Sequence, residues 1–152
     1  LEQRGGVSIA FIQASDERIG APKFNKADVV IALSERAVSR TATYSDSNTL
    51  YVYDSGFKVD EEDYPREYKQ IIGLPALETA NKELHPRVFN IIIMGAVIGL
   101  TNMVSFESAK NALENKLGHK FEKNPELRDL NFRALEMGKQ MAEKSLQEGG
   151  AK

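Results

Sequence analysis

The residues best suited to binding chemistry are an arginine followed by two glycines near the start of the chain, Arg4, Gly5 and Gly6. Two glycines allow the backbone to turn tightly and to bring its N–H groups close to an anion. The adjacent guanidinium offers a planar fork of donors that suits phosphate or carboxylate. On the local pattern alone a structural turn is favoured, and an anion-binding turn is the alternative.

Other polar candidates carry less chemistry. The acidic run Asp60-Glu61-Glu62-Asp63 lacks the alternating ligands and the glycine of a calcium loop, which favours a solvated loop. His85 precedes a proline and His119 follows a glycine, so both are expected at helix ends in structural or surface roles. The sequence has no dinucleotide-binding, phosphate-binding or His-Glu-x-x-His motif. The chain therefore offers no strong catalytic motif of its own.

Asn90 is a further candidate because it stands near the start of the most apolar stretch, residues 88–100. A helix over this stretch would rise only about 20 Å, whereas a membrane core needs ~30 Å, so we expect a buried helix. Gly95 and Gly99 form a pair of small residues four apart, which predicts close helix packing. Asn90 is then a polar contact at a subunit edge or, alternatively, a hydrogen-bonded residue of the core.

Composition excludes several classes of protein. The 152 residues include 20 Lys and Arg against 22 Asp and Glu, a net charge of −2, which argues against a nucleic-acid binder and a polybasic membrane patch. With no cysteine, the chain itself can form no disulfide, zinc–thiolate site or iron–sulfur ligation. No signal peptide opens the chain, and a cytoplasmic location is expected.

The elements that would position these residues alternate between strands and helices. Alternation predicts a strand over residues 7–14, and a continuous apolar run predicts a strand buried on both faces over 27–33. Further strands are expected at 49–53 and, weaker, at 70–75, with a short helix over 76–84. The last third is helical, with one helix from Ser105 to Leu117, ended by Gly118, and a longer one that starts at Asn124-Pro125. Its apolar stripe is expected to lie in the core or in an interface and comprises Leu127, Leu130, Ala134, Met137 and Met141. The order predicts a layered α/β domain.

Three groups of segments, taken in order, carry a family resemblance. They are residues 2–6 leading into 7–14, residues 19–22 followed by 27–33, and residues 90–96 with 100–101, 104–105, 117–118 and 124–138. Together they resemble the gamma subunit of the 2-oxoacid:ferredoxin (acceptor) oxidoreductases. That family normally opens with a strand, a Gly-Gly-Gln-Gly turn and a helix before the Arg-Gly-Gly segment, and none of these occurs here. We therefore expect residues 1–152 to be a single gamma domain whose N-terminal strand, loop and helix are missing.

The resemblance implies a three-layer α/β/α sandwich like domain III of pyruvate:ferredoxin oxidoreductase. It implies a complex that oxidatively decarboxylates a 2-oxoacid with thiamine diphosphate, iron–sulfur clusters and coenzyme A, and that reduces ferredoxin. Alpha and beta subunits, and in some complexes a delta subunit, would be the partners and would carry those cofactors. No cofactor and no activity are expected of the isolated chain.

The resemblance also orders the functional candidates. Arg4, Gly5 and Gly6 are expected to face the catalytic subunits near the coenzyme A or substrate entrance, and Asn90 is the second choice. The passage 124–138 resembles 2-oxoglutarate and related acceptor-type gamma subunits more than the pyruvate type, and the gamma subunit of a pyruvate or an indolepyruvate or branched-chain enzyme is the alternative. The alternatives are a free-standing small-molecule-binding α/β domain and a purely structural scaffold.

Overall fold

A computed structural model describes residues 6–21 and 23–149, the side chains of 148 and 149 excepted. Its strands are β1 (Val29–Ala32), β2 (Leu50–Asp54) and β3 (Gln70–Leu74). Its helices are α1 (Glu35–Thr41), α2 (Ala76–Glu83), α3 (Phe89–Thr101), α4 (Phe106–Phe121) and α5 (Pro125–Gly149). The contacts divide the chain after Gly73 into two compact units. The mixed α/β class predicted from the sequence is confirmed.

The first unit is built on a sheet of order β1-β2-β3. Strands β1 and β2 are parallel, with Val29 opposite Leu50 and Ala32 opposite Tyr53. The helix α1 lies between them in the chain, as parallel neighbours require a crossover. It begins at Ser34, whose hydroxyl accepts a hydrogen bond from the N–H of Ala37 at 3.2 Å.

Two buried hydroxyl groups fasten α1 to β2. The Tyr51 hydroxyl donates to the carbonyl oxygen of Val38 at 2.9 Å and lies 2.8 Å from the hydroxyl oxygen of Thr41. Thr41 donates in turn to the carbonyl oxygen of Ala37 at 2.7 Å. Burial raises the pKa of the Tyr51 hydroxyl, and the hydrogen bond with Thr41 offsets part of that effect. The neutral phenol is therefore the form that the folded protein favours.

This burial predicts a loss of stability at alkaline pH. Above about pH 10 the unfolded chain releases the Tyr51 proton while the folded chain retains it, so the free energy of unfolding falls as pH rises. Tyr51→Phe is expected to cost about 1 kcal/mol at neutral pH and to make that alkaline fall shallower. Urea unfolding at several pH values measures both effects. Tyr68→Phe removes an exposed hydroxyl and is the control, and equal pH slopes in the wild type and Tyr51→Phe would contradict the prediction.

The second unit is held together by a very close crossing of α3 and α5. A Cβ atom added at Gly95 would lie 2.1 Å from the carbonyl oxygen of Leu135. One added at Gly138 would lie 2.0 Å from the carbonyl oxygen of Ile92 and 2.7 Å from the backbone nitrogen of Ala96. Each glycine thus lies directly against the backbone of the other helix. The close packing predicted for α3 is confirmed, and most of the centre of this helix is buried, as expected.

The crossing selects a different face of α5 from the predicted stripe. Within that stripe only Ala134 is fully buried, while the leucines and methionines are half-buried. The most buried α5 residues are Asn131, Ala134, Leu135, Gly138 and Ala142. Small residues line the crossing because large ones would hold the two backbones apart. Leu135 enters a cluster with Ile98, Ala109 and Leu113, which also brings α4 into the core.

Two predicted elements differ in the structure. Residues 7–14 form no strand, because their backbone pairs with no other strand among the described residues. Helix α4 does not end at Gly118 but runs on to Phe121. The Phe121 side chain is buried, with its ring centroid 6.4 Å from that of Phe132, so packing extends the helix past a glycine that costs only about 1 kcal/mol. Within the described part of the chain, no helix combines the length and the apolar character needed to cross a membrane.

Candidate functional site

The residues predicted from the sequence for a binding edge are only partly described by the structure. Arg4 and Gly5 lie outside the described residues. Gly6 is exposed, and a Cβ atom added there would meet nothing within 4 Å. Asn90 is exposed in the first turn of α3, and its side chain makes no hydrogen bond within the described ranges, which does not support the alternative of a core residue. Gly6 belongs to the first unit and Asn90 to the second.

The other polar candidates have structural or surface positions. The acidic run contains an exposed 3₁₀ turn at Glu61–Asp63, and no group of three or more potential metal ligands occurs among the residues described. The His85 Nδ1 atom accepts a hydrogen bond from the N–H of Arg87 at 3.1 Å and so caps the turn before α3. His119 is exposed in the last turn of α4. The structural and surface roles expected for both histidines are confirmed.

A shallow cavity of about 400 Å³ lies in the first unit near the end of α1. Its lining mixes both signs of charge, with Lys26 and Arg66 beside Glu62, Asp63 and Glu67. The Lys26 ammonium donates to the carbonyl oxygens at positions 43 and 45, at 3.1 and 2.7 Å, so its charge is engaged by the chain itself. The cavity therefore defines no class of ligand.

Residues 6–14 belong to the first unit and form neither a helix nor a strand. Val7, Phe11 and Gln13 are half-buried, whereas residues 8–10 and Ile12 are exposed, so burial alternates only over residues 10–14. Within the described residues, no backbone N–H or carbonyl of this segment makes a hydrogen bond. Alternation over residues 10–14 is typical of a strand, but among the described residues the backbone pairing that a strand needs is missing.

One side chain anchors this segment to the rest of its unit. The ring of Phe11 packs edge-on against those of Phe24 and Tyr44, with both centroids at 5.2 Å. The Lys23 ammonium lies 5.8 Å from the centroid of the Phe11 ring, within the range of a cation–π contact. On the opposite side of the segment the Ile12 side chain is 83% exposed. An apolar side chain so exposed beside open backbone groups is typical of a surface that another protein segment covers.

Comparisons with known proteins identify the family of this α/β chain. The chain belongs to the pyruvate ferredoxin/flavodoxin oxidoreductase family, whose model matches residues 1–141. It is 29% identical over 148 residues to ketoisovalerate oxidoreductase subunit VorA of Methanothermobacter thermautotrophicus. It is 32% identical over 113 residues to 2-oxoglutarate synthase subunit KorC of Methanocaldococcus jannaschii.

Two solved structures are similar. The gamma subunit of the keto/oxoacid ferredoxin oxidoreductase from Geobacter sulfurreducens PCA matches 76% of this chain and 63% of its own, with a TM-score of 0.60 and 26% identity. The 2-oxoglutarate:ferredoxin oxidoreductase from Magnetococcus marinus, solved with 2-oxoglutarate, coenzyme A and succinyl-CoA bound, matches 86% of this chain with a TM-score of 0.72 and 25% identity.

The shares of these relatives that the chain spans differ widely. The alignment with VorA covers 96% of this chain but only 29% of VorA. The alignment with KorC covers 74% of this chain and 60% of KorC. It covers 22% of the Magnetococcus marinus chain. The same fold therefore occurs inside long chains and as most of a short one.

Proposed function

We propose that this chain is the gamma subunit of a 2-oxoacid:ferredoxin oxidoreductase complex. The observation that carries the proposal is the family match over residues 1–141, and the similarity to a solved gamma subunit supports it. The complex converts a 2-oxoacid and coenzyme A into an acyl-CoA and carbon dioxide, and passes the two electrons to ferredoxin. The partners that we propose are the alpha and beta subunits, with a delta subunit in some complexes.

The chain's own residues do not fit the redox groups of such a complex. Iron–sulfur clusters are held by cysteine thiolates, and the sequence contains none. No group of three or more potential metal ligands is found in the ranges described. We therefore assign the clusters to the other subunits. We assign thiamine diphosphate to them as well, because the family resemblance implies it, and we expect no turnover from the isolated chain.

The substrate that we propose is 2-oxoglutarate. KorC relatives from three archaeal genera carry the name 2-oxoglutarate synthase, and the Magnetococcus marinus enzyme was solved with 2-oxoglutarate bound. The VorA relatives make ketoisovalerate the alternative. Reconstitution with the partner subunits, followed by ferredoxin reduction with a panel of 2-oxoacids, tests the assignment. We expect kcat/KM for 2-oxoglutarate to exceed that for pyruvate and ketoisovalerate at least about tenfold, and a preference for ketoisovalerate would assign the chain to the VorA type.

Arg4, Gly5 and Gly6 remain our proposal for the edge near the coenzyme A entrance, with Asn90 as the second choice. A guanidinium on a phosphate or carboxylate of the ligand forms a charge-assisted pair, so Arg4→Ala in the assembled complex is expected to raise the KM for coenzyme A about tenfold or more. Arg4→Lys should recover part of the loss, since it restores the charge without the planar fork. Arg18→Ala, which removes an exposed arginine of the same unit, is the control. Wild-type turnover and an unchanged KM in Arg4→Ala would favour a purely structural scaffold.

A further inference from the structure

We infer that a row of basic side chains at the end of α4 is a docking surface for the acidic electron-carrier protein that the complex reduces. The row, which we call the basic stripe, comprises Lys116, His119, Lys120 and Lys123. The inference rests on the proposed function, because the carrier is the ferredoxin of that complex.

Helical geometry brings the members of the basic stripe together. They recur at spacings of three and four residues, and positions so spaced are neighbours on the surface of a helix. Helix α4 ends at Phe121, but the N–H of Asn124 still donates to the carbonyl oxygen of Lys120 at 3.0 Å, so Lys123 continues the row. All four members are exposed, so their charged ends share one patch of surface.

The positive charge of the basic stripe is not neutralised by the chain itself. Among the described residues, the ammonium groups of its three lysines form no ion pair and no hydrogen bond. Lys139 of the same unit differs, since it lies 3.9 Å from a carboxylate oxygen of Glu143 and 5.0 Å from the centroid of the Phe106 ring. The stripe therefore presents at least three free positive charges to a partner.

The acidic residues of α4 do not interrupt the stripe. A helix turns about 100° per residue, which places Glu107 and Glu114 roughly on the opposite side of α4. Glu114 is bound there by the guanidinium of Arg128. One sign of charge thus dominates the surface around the stripe.

Stabilisation of the helix alone does not account for the stripe. Lysines near a helix C-terminus interact favourably with the helix dipole, but this effect falls off within the last turn. Lys116 lies more than one turn before Phe121, and Lys123 lies beyond the end of α4. Both positions are therefore outside the range in which the dipole favours a positive charge most.

The residue type indicates a partner that binds transiently. Lysine is depleted in the centres of protein interfaces, because burial strips its ammonium group of water. Exposed lysines instead raise the rate at which a partner of opposite charge associates, and such contacts also dissociate readily. A complex that hands electrons to a separate carrier protein needs this kind of contact, and electron-transfer interfaces are among the smallest in proteins. The net charge of −2 for the whole chain favours an acidic protein over a nucleic acid.

Neutralising the stripe in the reconstituted complex tests the inference. The variant combines Lys116→Gln, Lys120→Gln and Lys123→Gln, and glutamine is as good a helix former as lysine, so α4 is expected to fold. At low ionic strength kcat/KM for a purified acidic ferredoxin should fall at least about tenfold. At about 1 M salt, where the Debye length is only about 3 Å, the wild type and the variant should differ less than about twofold. An unchanged kcat/KM for ferredoxin at low ionic strength would overturn the inference.

A small acceptor separates docking from catalysis. Turnover with methyl viologen, a small cationic dye that needs no protein docking surface, should be the same in the wild type and the variant. An equal loss with methyl viologen and with ferredoxin would overturn the inference, since the stripe would then act on the chemistry or on the assembly.

A matched variant separates the position of the charges from their number. Arg18→Gln, Lys58→Gln and Lys69→Gln together remove the same total charge from exposed residues of the first unit. This control should lower kcat/KM for ferredoxin less than about twofold. Equal losses in the two triple variants would overturn the inference, because the effect would then come from the net charge of the chain.

Binding of the isolated chain to phosphate groups is the competing result. Duplex DNA and vesicles rich in anionic lipid, at about 0.15 M salt, are the probes. Binding to either one that the stripe variant abolishes would assign the stripe to a phosphate-bearing partner and overturn the inference. No binding to either is the expected result.

The failure of this inference differs from the failure of the proposed function. If the complex oxidises a 2-oxoacid and the stripe variant reduces ferredoxin as well as the wild type does, only the docking surface is wrong. If the stripe variant no longer assembles while the wild type does, the stripe belongs to a permanent interface and the inference is overturned. If the wild-type chain does not assemble with the catalytic subunits at all, the proposed function is wrong and the docking surface falls with it.

Discussion

Gly138→Ala is expected to cost more than about 4 kcal/mol of the free energy of unfolding, the largest effect of any substitution considered in this chain. The added Cβ atom would lie 2.0 Å from the carbonyl oxygen of Ile92 and 2.7 Å from the nitrogen of Ala96. Both atoms belong to the backbone of α3, so no side chain can rotate away, and the two helices must separate. A domain is stable by only about 5–15 kcal/mol, so most of that margin would be lost.

Thermal and urea unfolding of the purified chain measure this effect, and Gly118→Ala is the matched control. Gly118 also lies inside a helix, α4, but a Cβ atom added there would meet nothing within 4 Å. This control is expected to gain about 0.4–1 kcal/mol, because alanine restricts the unfolded chain more than glycine does. A Gly138→Ala variant that melts near the wild-type temperature would show that α3 and α5 do not cross as closely as described.

Leu135→Ala is expected to have the second largest effect, a loss of about 2–5 kcal/mol. The Leu135 side chain is 0% exposed and packs with Ile98, Ala109 and Leu113, so its truncation leaves a cavity among residues of three helices. The same substitution at Leu146, which is 47% exposed on the same helix, should change stability by less than about 0.5 kcal/mol. The ratio of the two losses, measured by urea unfolding, is the critical result, and similar losses would contradict the described core.

The comparison of these positions shows what the sequence can and cannot specify. The apolar run of residues 88–100 predicted a buried helix, and Gly95 within it predicted close packing, because both signals are local. The role of Gly138 was not predicted, since a glycine within a helix of mixed composition carries no sign of what will lie against it. The predicted leucine and methionine stripe on α5 was largely displaced from the core for the same reason, because the crossing distance is a property of two helices.

The candidate site has the same limit. The alternation of residues 7–14 predicted a strand, but burial alternates only over residues 10–14, and no ladder forms among the described residues because pairing requires a second strand. Arg4 and Gly5 lie outside the described residues, so their assignment stays a prediction that depends on the family resemblance.

The reciprocal fit of Gly95 and Gly138 also has a consequence for synthesis of the chain. About 40 residues separate the two glycines, and a ribosome adds on the order of 10 residues per second, so α3 emerges several seconds before α5. During that interval α5, the helix that packs most extensively against α3, is not yet available to cover it. A chain whose synthesis stops within α5 would leave its most hydrophobic surface open to chaperones and proteases.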